Sequence, residues 1–137
     1  MHRIFYKAAS LFAALAVIIG AFGAHFLKDI LLPQELESVQ TGVTYQMTHA
    51  IALFITGFIY RAYHNVRTKV AGYLFFVGIV LFSGSIYLRI LLKHLDFPKS
   101  NMVTFITPIG GALFIIGWLI LMFAIPSSGR KYHQSNE

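Results

Sequence analysis

Long apolar stretches alternate with short polar segments along this chain. A helix needs about 20 mainly apolar residues to cross the ~30 Å hydrocarbon core of a membrane, and four stretches have about that length. None of them alternates polar and apolar residues as the strands of a membrane β-barrel do. The pattern therefore predicts an all-α protein, a four-transmembrane-helix bundle. We expect its helices at about residues 5–27, 44–60, 70–92 and 104–125.

The longest connection between the predicted helices runs from Lys28 to Val43. In this loop Pro33 is followed by two acidic residues, which fits the first turn of a short helix on the membrane surface, because proline and acids are both favoured there. The four helices form one transmembrane domain, residues 1–126, and residues 127–137 form a polar cytoplasmic tail. No second domain is predicted.

Composition supports a membrane protein. Of the 137 residues, 57% are hydrophobic and 12% are charged, whereas soluble domains are roughly 45–50% apolar. A soluble chain of this length could not bury so much apolar surface, so lipid must solvate the excess. The formal net charge of +6 does not indicate nucleic-acid binding, because the basic residues form short clusters between apolar runs, as topology signals do. The absence of cysteine excludes disulfides, thiolate nucleophiles and cysteine-ligated zinc.

The distribution of Lys and Arg predicts the orientation in the membrane. One side of the bundle carries four basic residues and four of the five acids. The other side carries seven basic residues: Arg3, Lys7, Arg61, Arg67, Lys69, Arg130 and Lys131. Cytoplasmic segments are enriched in Lys and Arg, so both termini are expected in the cytoplasm, an N-in/C-in topology.

Polar residues within the predicted helices gather near the outer surface. Every helix contributes at least one polar group within ~10–12 Å of that surface, at a rise of ~1.5 Å per residue. The inner halves of the helices offer little beyond Ser10 and Thr56. This asymmetry makes the outer leaflet the candidate site. Its members are His25, Tyr45, Gln46, His49, Ser83, Ser85, Arg89 and Thr107.

Two interpretations of the outer cluster stay open. Ionisable residues inside a membrane are costly and usually face the bundle interior or a wet cavity, so the cluster could line a ligand pocket in which Arg89 holds an anionic head group. Alternatively, Gln, Ser, Thr and His could hydrogen-bond between helices and fix their register, while Arg89 extends to the surface. Two histidines could relay protons, or bind a metal with further ligands.

Metal binding and catalysis are the weaker interpretations. His25 and His49 lie on different helices, and no carboxylate lies at membrane depth to complete a metal site. The chain has no Gly-x-Ser-x-Gly motif and no acid placed to orient a histidine. We therefore predict no catalytic residue, no bound metal and no cofactor, and we favour a non-enzymatic role.

Motifs at these positions resemble one known family. They are Gly-Ala-Phe-Gly-Ala-His at 20–25, Thr-Gly-Val-Thr-Tyr-Gln-Met-Thr-His-Ala at 41–50, Leu-Phe-Ser-Gly-Ser-Ile-Tyr at 81–87, Thr-Pro-Ile-Gly-Gly at 107–111 and Gly-Trp at 117–118. The sequence resembles the bacterial membrane-protein family called domain of unknown function 423, which is similar to eukaryotic transmembrane protein 256. The resemblance implies a small multi-pass protein of the bacterial inner (cytoplasmic) membrane, and it implies no reaction.

Three functions are carried forward from the sequence. The first is a non-enzymatic module that binds a lipid, a quinone or a similar amphipathic ligand in the outer-leaflet pocket. The second is a structural or assembly partner of another membrane protein, or a homo-oligomer. The third is a small proton or ion conduit, which needs polarity through the full thickness of the membrane. The apolar inner segments 53–58 and 114–123 argue against a conduit.

Overall fold

The computed structural model of the chain describes residues 2–97 and 100–124, without the side chains of Ser100 and Asn101. The predicted tail, residues 127–137, lies outside the described residues. Within them the fold is all-α with four long helices, as predicted, and two 3-10 turns connect the first two and the last two of these helices. The helices are α1 (His2–His25), α2 (Pro33–Tyr63), α3 (Val66–His94) and α4 (Ile106–Ala124), and the 3-10 turns are Leu27–Asp29 and Ser100–Phe105.

Consecutive helices pack against one another in antiparallel pairs, α1 on α2, α2 on α3 and α3 on α4. We call the end at which α2 and α4 begin the Glu35 end, and the opposite one the Arg61 end. Lys93 Nζ at the end of α3 lies 2.6 Å from Glu35 Oε1 near the start of α2. This contact joins the end of α3 to the start of α2, as expected for an antiparallel pair. The α4 helix packs on the rest of the bundle chiefly through α3.

All four helices are long and apolar enough to cross a membrane. Large apolar side chains cover their outward faces, as Ile18, Ile51 and Ile115 show with half or more of their surface exposed. A monomeric soluble protein rarely exposes apolar surface on this scale. The chain is therefore a membrane protein whose outward faces are solvated by lipid.

The α2 helix begins eleven residues before its predicted start and includes most of the expected loop. Pro33 occupies the first turn, where its missing N–H costs nothing. Glu35 Oε2 accepts a hydrogen bond of 3.0 Å from the N–H of Leu32, which satisfies one of the donors left free at a helix start. The uncharged stretch 38–60 spans ~34 Å, enough for the hydrocarbon, so the first turns of α2 extend beyond it. Hydropathy detected the segment that lipid surrounds and not the whole helix.

Two glycines allow α3 to approach its neighbours closely. A Cβ atom on Gly72 would lie 2.6 Å from the ring of Phe5 on α1, and one on Gly110 would lie 2.5 Å from the backbone nitrogen of Phe82. Between helices in lipid, small residues of this kind permit the dispersion contacts that hold the bundle together. The Gly110 contact involves backbone on both sides, so it sets the distance between α3 and α4.

Side chains at the start of α3 and just before it hold the final turn of α4. Asn65 Nδ2 donates to the carbonyl of Ala124 at 3.0 Å, and an Arg67 guanidinium nitrogen donates to that of Phe123 at 3.3 Å. Asn65 Oδ1 also accepts the N–H of Arg67 and so caps the start of α3. The last carbonyls of a helix lack partners within it, and these two side chains supply them. We call Asn65 and Arg67 the α4 latch.

Candidate functional site

Buried polar residues between α2 and its neighbours are hydrogen-bonded within the protein. Gln46 is 3% exposed; its Nε2 donates to the carbonyl of Phe12 on α1 at 2.8 Å, and its Oε1 accepts from the hydroxyl of Tyr87 on α3 at 3.0 Å. Ser83, fully buried, donates to the carbonyl of Gly42 at 2.8 Å. These groups cross-link three helices, which matches the helix-fixing interpretation. We call these two residues, together with His49, whose contacts are described next, the polar seam.

His49 uses both of its ring nitrogens. Nδ1 lies 2.8 Å from the carbonyl of Tyr45, which can only accept, and Nε2 lies 3.2 Å from the indole N–H of Trp118, which can only donate. The proton must therefore be on Nδ1, and the imidazole is neutral. Its ring stacks on Phe114 with 3.5 Å between centroids. With both nitrogens occupied and 5% of its surface exposed, His49 has no free atom for a ligand or a relayed proton.

Ser85 and Thr107 join α3 to the start of α4. The hydroxyl of Ser85 donates to the carbonyl of Phe82 at 2.9 Å, so in its 2.7 Å contact with Thr107 it acts as acceptor. The hydrogen of the Thr107 hydroxyl is therefore used in this bond. Thr107 keeps only an accepting lone pair for other groups.

The structure separates His25 from the other predicted site residues. It lies exposed in the last turn of α1, and it lines none of the grooves described below. No hydrogen-bond or ion-pair partner of its side chain occurs among the described residues. The sequence analysis grouped His25 with the cluster because of its expected depth alone. In the structure α1 is rotated so that the His25 side chain is exposed and lines neither groove.

Arg89 lies in an open groove of about 420 Å³ between α2, α3 and the start of α4. Its side chain is partly exposed. Within residues 2–97 and 100–124 it has no hydrogen-bond or ion-pair partner. The described residues therefore leave the positive charge of Arg89 uncompensated. Its lining residues are Ser38, Thr41, Phe82, Ile86, Arg89, Ile90, Thr104, Thr107 and Pro108, which we call the Arg89 groove.

A second groove of about 550 Å³ adjoins the first, since Phe82 and Pro108 line both. It follows α4 toward the Arg61 end as far as Trp118. Tyr45 stacks on Phe82 at its upper wall with 4.6 Å between ring centroids. The residues of this aromatic groove are Tyr45, His49, Phe82, Pro108, Gly111, Ala112, Phe114, Ile115 and Trp118.

Glu35 forms a separate polar centre at the start of α2, ahead of the uncharged stretch 38–60. Its carboxylate is 5% exposed and pairs with Lys93 Nζ at 2.6 Å and with His94 Nε2 at 3.2 Å. The hydrogen bond from Lys93, aided by the one from the Leu32 N–H, lowers the pKa of Glu35 from 4.5 to about 2. The carboxylate thus stays ionised and ties α2 to α3; we call this contact the Glu35 bridge.

Sequence reasoning missed three groups that the structure brings to the site. Ser38 and Thr41 line the Arg89 groove because α2 extends through the region expected to be a loop. The indole N–H of Trp118 donates to His49, a contact that depends on how α4 is rotated. The signal available for the first two was Pro33 followed by an unbroken run to Tyr45 with no glycine–proline pair to end a helix.

Comparison with known proteins identifies relatives along most of the chain. A family profile described as "Protein of unknown function (DUF423)" matches residues 19–111, which include all eight predicted site residues. A UPF0382 membrane protein of Staphylococcus epidermidis (strain ATCC 12228 / FDA PCI 1200) is 41% identical over 122 residues, covering 89% of this chain and 94% of that protein. The UPF0382 membrane protein YwdK of Bacillus subtilis (strain 168) is 38% identical over 89% of this chain and 95% of its own length. A UPF0382 membrane protein of Haemophilus influenzae (strain ATCC 51907 / DSM 11121 / KW20 / Rd) is 42% identical over 78% and 81%. No solved structure gave a significant match.

Proposed function

The chain belongs to the DUF423 family, and from that premise we propose that it is a non-enzymatic membrane module that binds an amphipathic ligand, a lipid or a quinone, in the Arg89 groove. The groove combines a charged head-group position with apolar walls that continue into the aromatic groove. Ligand sites of this kind are concave and mostly apolar, with a few polar groups that fix orientation.

The observation that carries the proposal is the unpaired guanidinium of Arg89. Gln46, His49 and Ser83 are all hydrogen-bonded within the protein, as buried polar groups normally are. Arg89 has none among the described residues, although it sits near the end of the hydrocarbon, where an ionised group needs a counter-charge or water. A ligand with an acceptor-rich head supplies what the protein leaves out.

The topology that we propose places the Arg89 groove in the outer leaflet of a bacterial inner membrane. The Arg61 end carries Arg3, Lys7, Arg61, Arg67 and Lys69. The acids Asp29, Glu35, Glu37 and Asp96 lie toward the opposite end. Cytoplasmic ends are rich in Lys and Arg, which supports an N-in/C-in orientation.

Native mass spectrometry of the protein purified in mild detergent tests this function. We expect wild type to retain a discrete added mass that Arg89→Gln loses, because the substitution removes the charge and the forked donor set. Arg61→Gln is the matched control, since Arg61 is exposed at the other end of the bundle, and it should keep the mass. Equal retention by wild type and Arg89→Gln, or no retained mass in any variant, would contradict the proposal.

A structural or assembly role is the second candidate, and the polar seam favours it. Gln46 alone joins α1, α2 and α3, so these polar groups can be explained by folding without any ligand. This role predicts that the protein retains only copies of itself or another membrane protein in the same experiment. It also predicts that Arg89→Gln leaves every such complex unchanged.

A further inference from the structure

We infer that the ligand of the Arg89 groove is a glycerophospholipid, with its phosphate on Arg89 and one acyl chain lying along the aromatic groove. This inference rests on the function proposed above and specifies the chemical class of the ligand. Three features of the two grooves lead to it: the free charge, the direction of the hydroxyl hydrogen bonds and the length of the apolar floor.

The free charge calls for an anion. A guanidinium presents five N–H donors in a planar fork that matches two oxygens of a phosphate. In the described part of the chain the Glu35 carboxylate is already paired with Lys93 and His94, and no carboxylate lines the Arg89 groove. The protein thus supplies the cation of an ion pair and leaves the anion to the ligand.

Four hydroxyl groups line the Arg89 groove, and three of them already donate their hydrogens within the protein, while that of Thr104 has no partner among the described residues. Ser38 donates to the carbonyl of Gln34 at 2.9 Å, and Thr41 donates to that of Glu37 at 3.0 Å. Thr107 donates to Ser85, as its geometry requires. The three hydroxyls that can only accept favour a head group that carries donors beside its phosphate, such as the ammonium of an ethanolamine or the hydroxyls of a glycerol. Quinone carbonyls only accept, so a quinone could pair with Arg89 and Thr104 but with none of the other three hydroxyls.

The aromatic groove has the length and the chemistry of an acyl-chain site. From Pro108 to Trp118 the groove follows ten residues of α4, or ~15 Å, which is half of the ~30 Å hydrocarbon thickness. At its lower end the Nε2 of His49 and the indole N–H of Trp118 bond to each other. Neither is left for a polar ligand group. A methylene chain needs no such partner.

Binding of defined probes to delipidated protein tests the inference. The probes are a palmitoyl-oleoyl phosphatidylethanolamine, a phosphatidylglycerol and a diacylglycerol with the same chains, a ubiquinone, and inorganic phosphate. We expect the two phospholipids to bind and the diacylglycerol, the quinone and phosphate alone to bind at least about tenfold more weakly. Native mass spectrometry with each probe titrated gives the comparison.

Two variants separate the head site from the chain site. Arg89→Gln should weaken phospholipid binding at least about tenfold. Ala112→Trp should do the same by filling the aromatic groove, because Ala112 is exposed on its wall. Ile116→Trp is the matched control, since Ile116 is exposed outside both grooves, and it should bind as wild type does. Thermal unfolding of each variant in detergent identifies any that fail to fold.

The outcomes distinguish this inference from the function on which it rests. Ubiquinone binding that needs Arg89 while phospholipid does not bind would overturn the inference and keep the proposed function. Phosphate or diacylglycerol binding as tightly as the phospholipids would overturn the two-part ligand. Phospholipid binding that is equal in wild type, Arg89→Gln and Ala112→Trp would remove both the inference and the function.

Discussion

The polar seam and the Arg89 groove lie at neighbouring depths but treat their polar groups in opposite ways. In the seam, Gln46 is 3% exposed and His49 is 5% exposed. The side chain of each is hydrogen-bonded to two other residues. In the groove, Arg89 faces an open cavity with no partner among the described residues. Two sets of residues that look alike by composition and depth therefore differ in what they leave unsatisfied.

This difference indicates how to assign roles to polar residues in a small membrane protein. A polar group that has found all its partners contributes to helix packing, at about 0.6–2 kcal/mol per hydrogen bond. A charged group that the fold leaves unpaired makes no such contribution, so helix packing does not explain its position inside the bundle. The seam should therefore control stability and the groove should control binding.

The largest effect is expected when α4 is pushed away from α3, because the polar seam and the Arg89 groove both depend on the contact between these two helices. Gly110→Ala places a methyl group 2.5 Å from the backbone nitrogen of Phe82. A flexible side chain could move aside, but this backbone cannot. We expect the free energy of unfolding to fall by about 3 kcal/mol, measured by denaturation in detergent micelles.

Gly84→Ala is the control for that substitution. Nothing lies within 4 Å of the Cβ that it would add, and alanine is the better helix former. It should leave stability unchanged or raise it slightly. A loss in Gly84→Ala as large as that in Gly110→Ala would mean that the close α3–α4 contact is not the cause.

The next largest effect should come from the polar seam. His49→Ala removes the stacking on Phe114 and leaves the Trp118 indole N–H without its acceptor. We expect it to lower the free energy of unfolding by about 2–3 kcal/mol. His25→Ala, at an exposed position without partners in the described residues, should change it by less than about 0.5 kcal/mol. Equal effects of the two histidine substitutions would remove the distinction between seam and surface.

A smaller effect, dependent on pH, is expected from the Glu35 bridge. The pKa of Glu35 is lowered from 4.5 to about 2, so its ionised form stabilises the fold fully above about pH 4.5 and loses that contribution as pH falls toward about 2. Lys93 is half exposed, so solvent screening limits the contribution to roughly 1–2 kcal/mol.

Glu35→Gln tests this contribution. The variant should be less stable than wild type at pH 7, and the gap should close as the pH falls through the range 4.5 to 2. Thermal unfolding across that range provides the measurement. A gap that stays constant with pH would show that packing around the side chain, and not its charge, accounts for the loss.

The smallest change in the stability of the lipid-free protein is expected from a substitution in the Arg89 groove. Arg89→Gln should alter the unfolding free energy of the delipidated protein by less than about 0.5 kcal/mol, because no partner within the described residues is lost. Adding phosphatidylethanolamine should raise the unfolding temperature of wild type, because a ligand that binds only the native state stabilises it. It should not raise that of Arg89→Gln. A large loss of stability without lipid would place Arg89 among the structural residues.

The sequence alone was sufficient to predict the all-α fold class and the number of long helices. Any segment that crosses the lipid must have a certain length and hydropathy, and both can be read from the sequence. It was not sufficient for the start of α2, since residues 33–43 form helix in the polar region, where hydropathy carries no signal. Gln46 and His49 were predicted from depth to lie among the polar residues between the helices, and the structure shows each of them buried and hydrogen-bonded to neighbouring residues. The rotation of each helix, which turns His25 outward and brings Trp118 onto His49, depends on tertiary packing that no single stretch encodes.

The α4 latch has a consequence for the order in which the protein assembles during synthesis. Asn65 and Arg67, which receive the last carbonyls of α4, are made some sixty residues before those carbonyls emerge from the ribosome. The hydrogen bonds of Gln46 join α1, α2 and α3 and involve no residue of α4. Residues of α4 line both grooves, so both grooves exist only once this last helix has docked on α3.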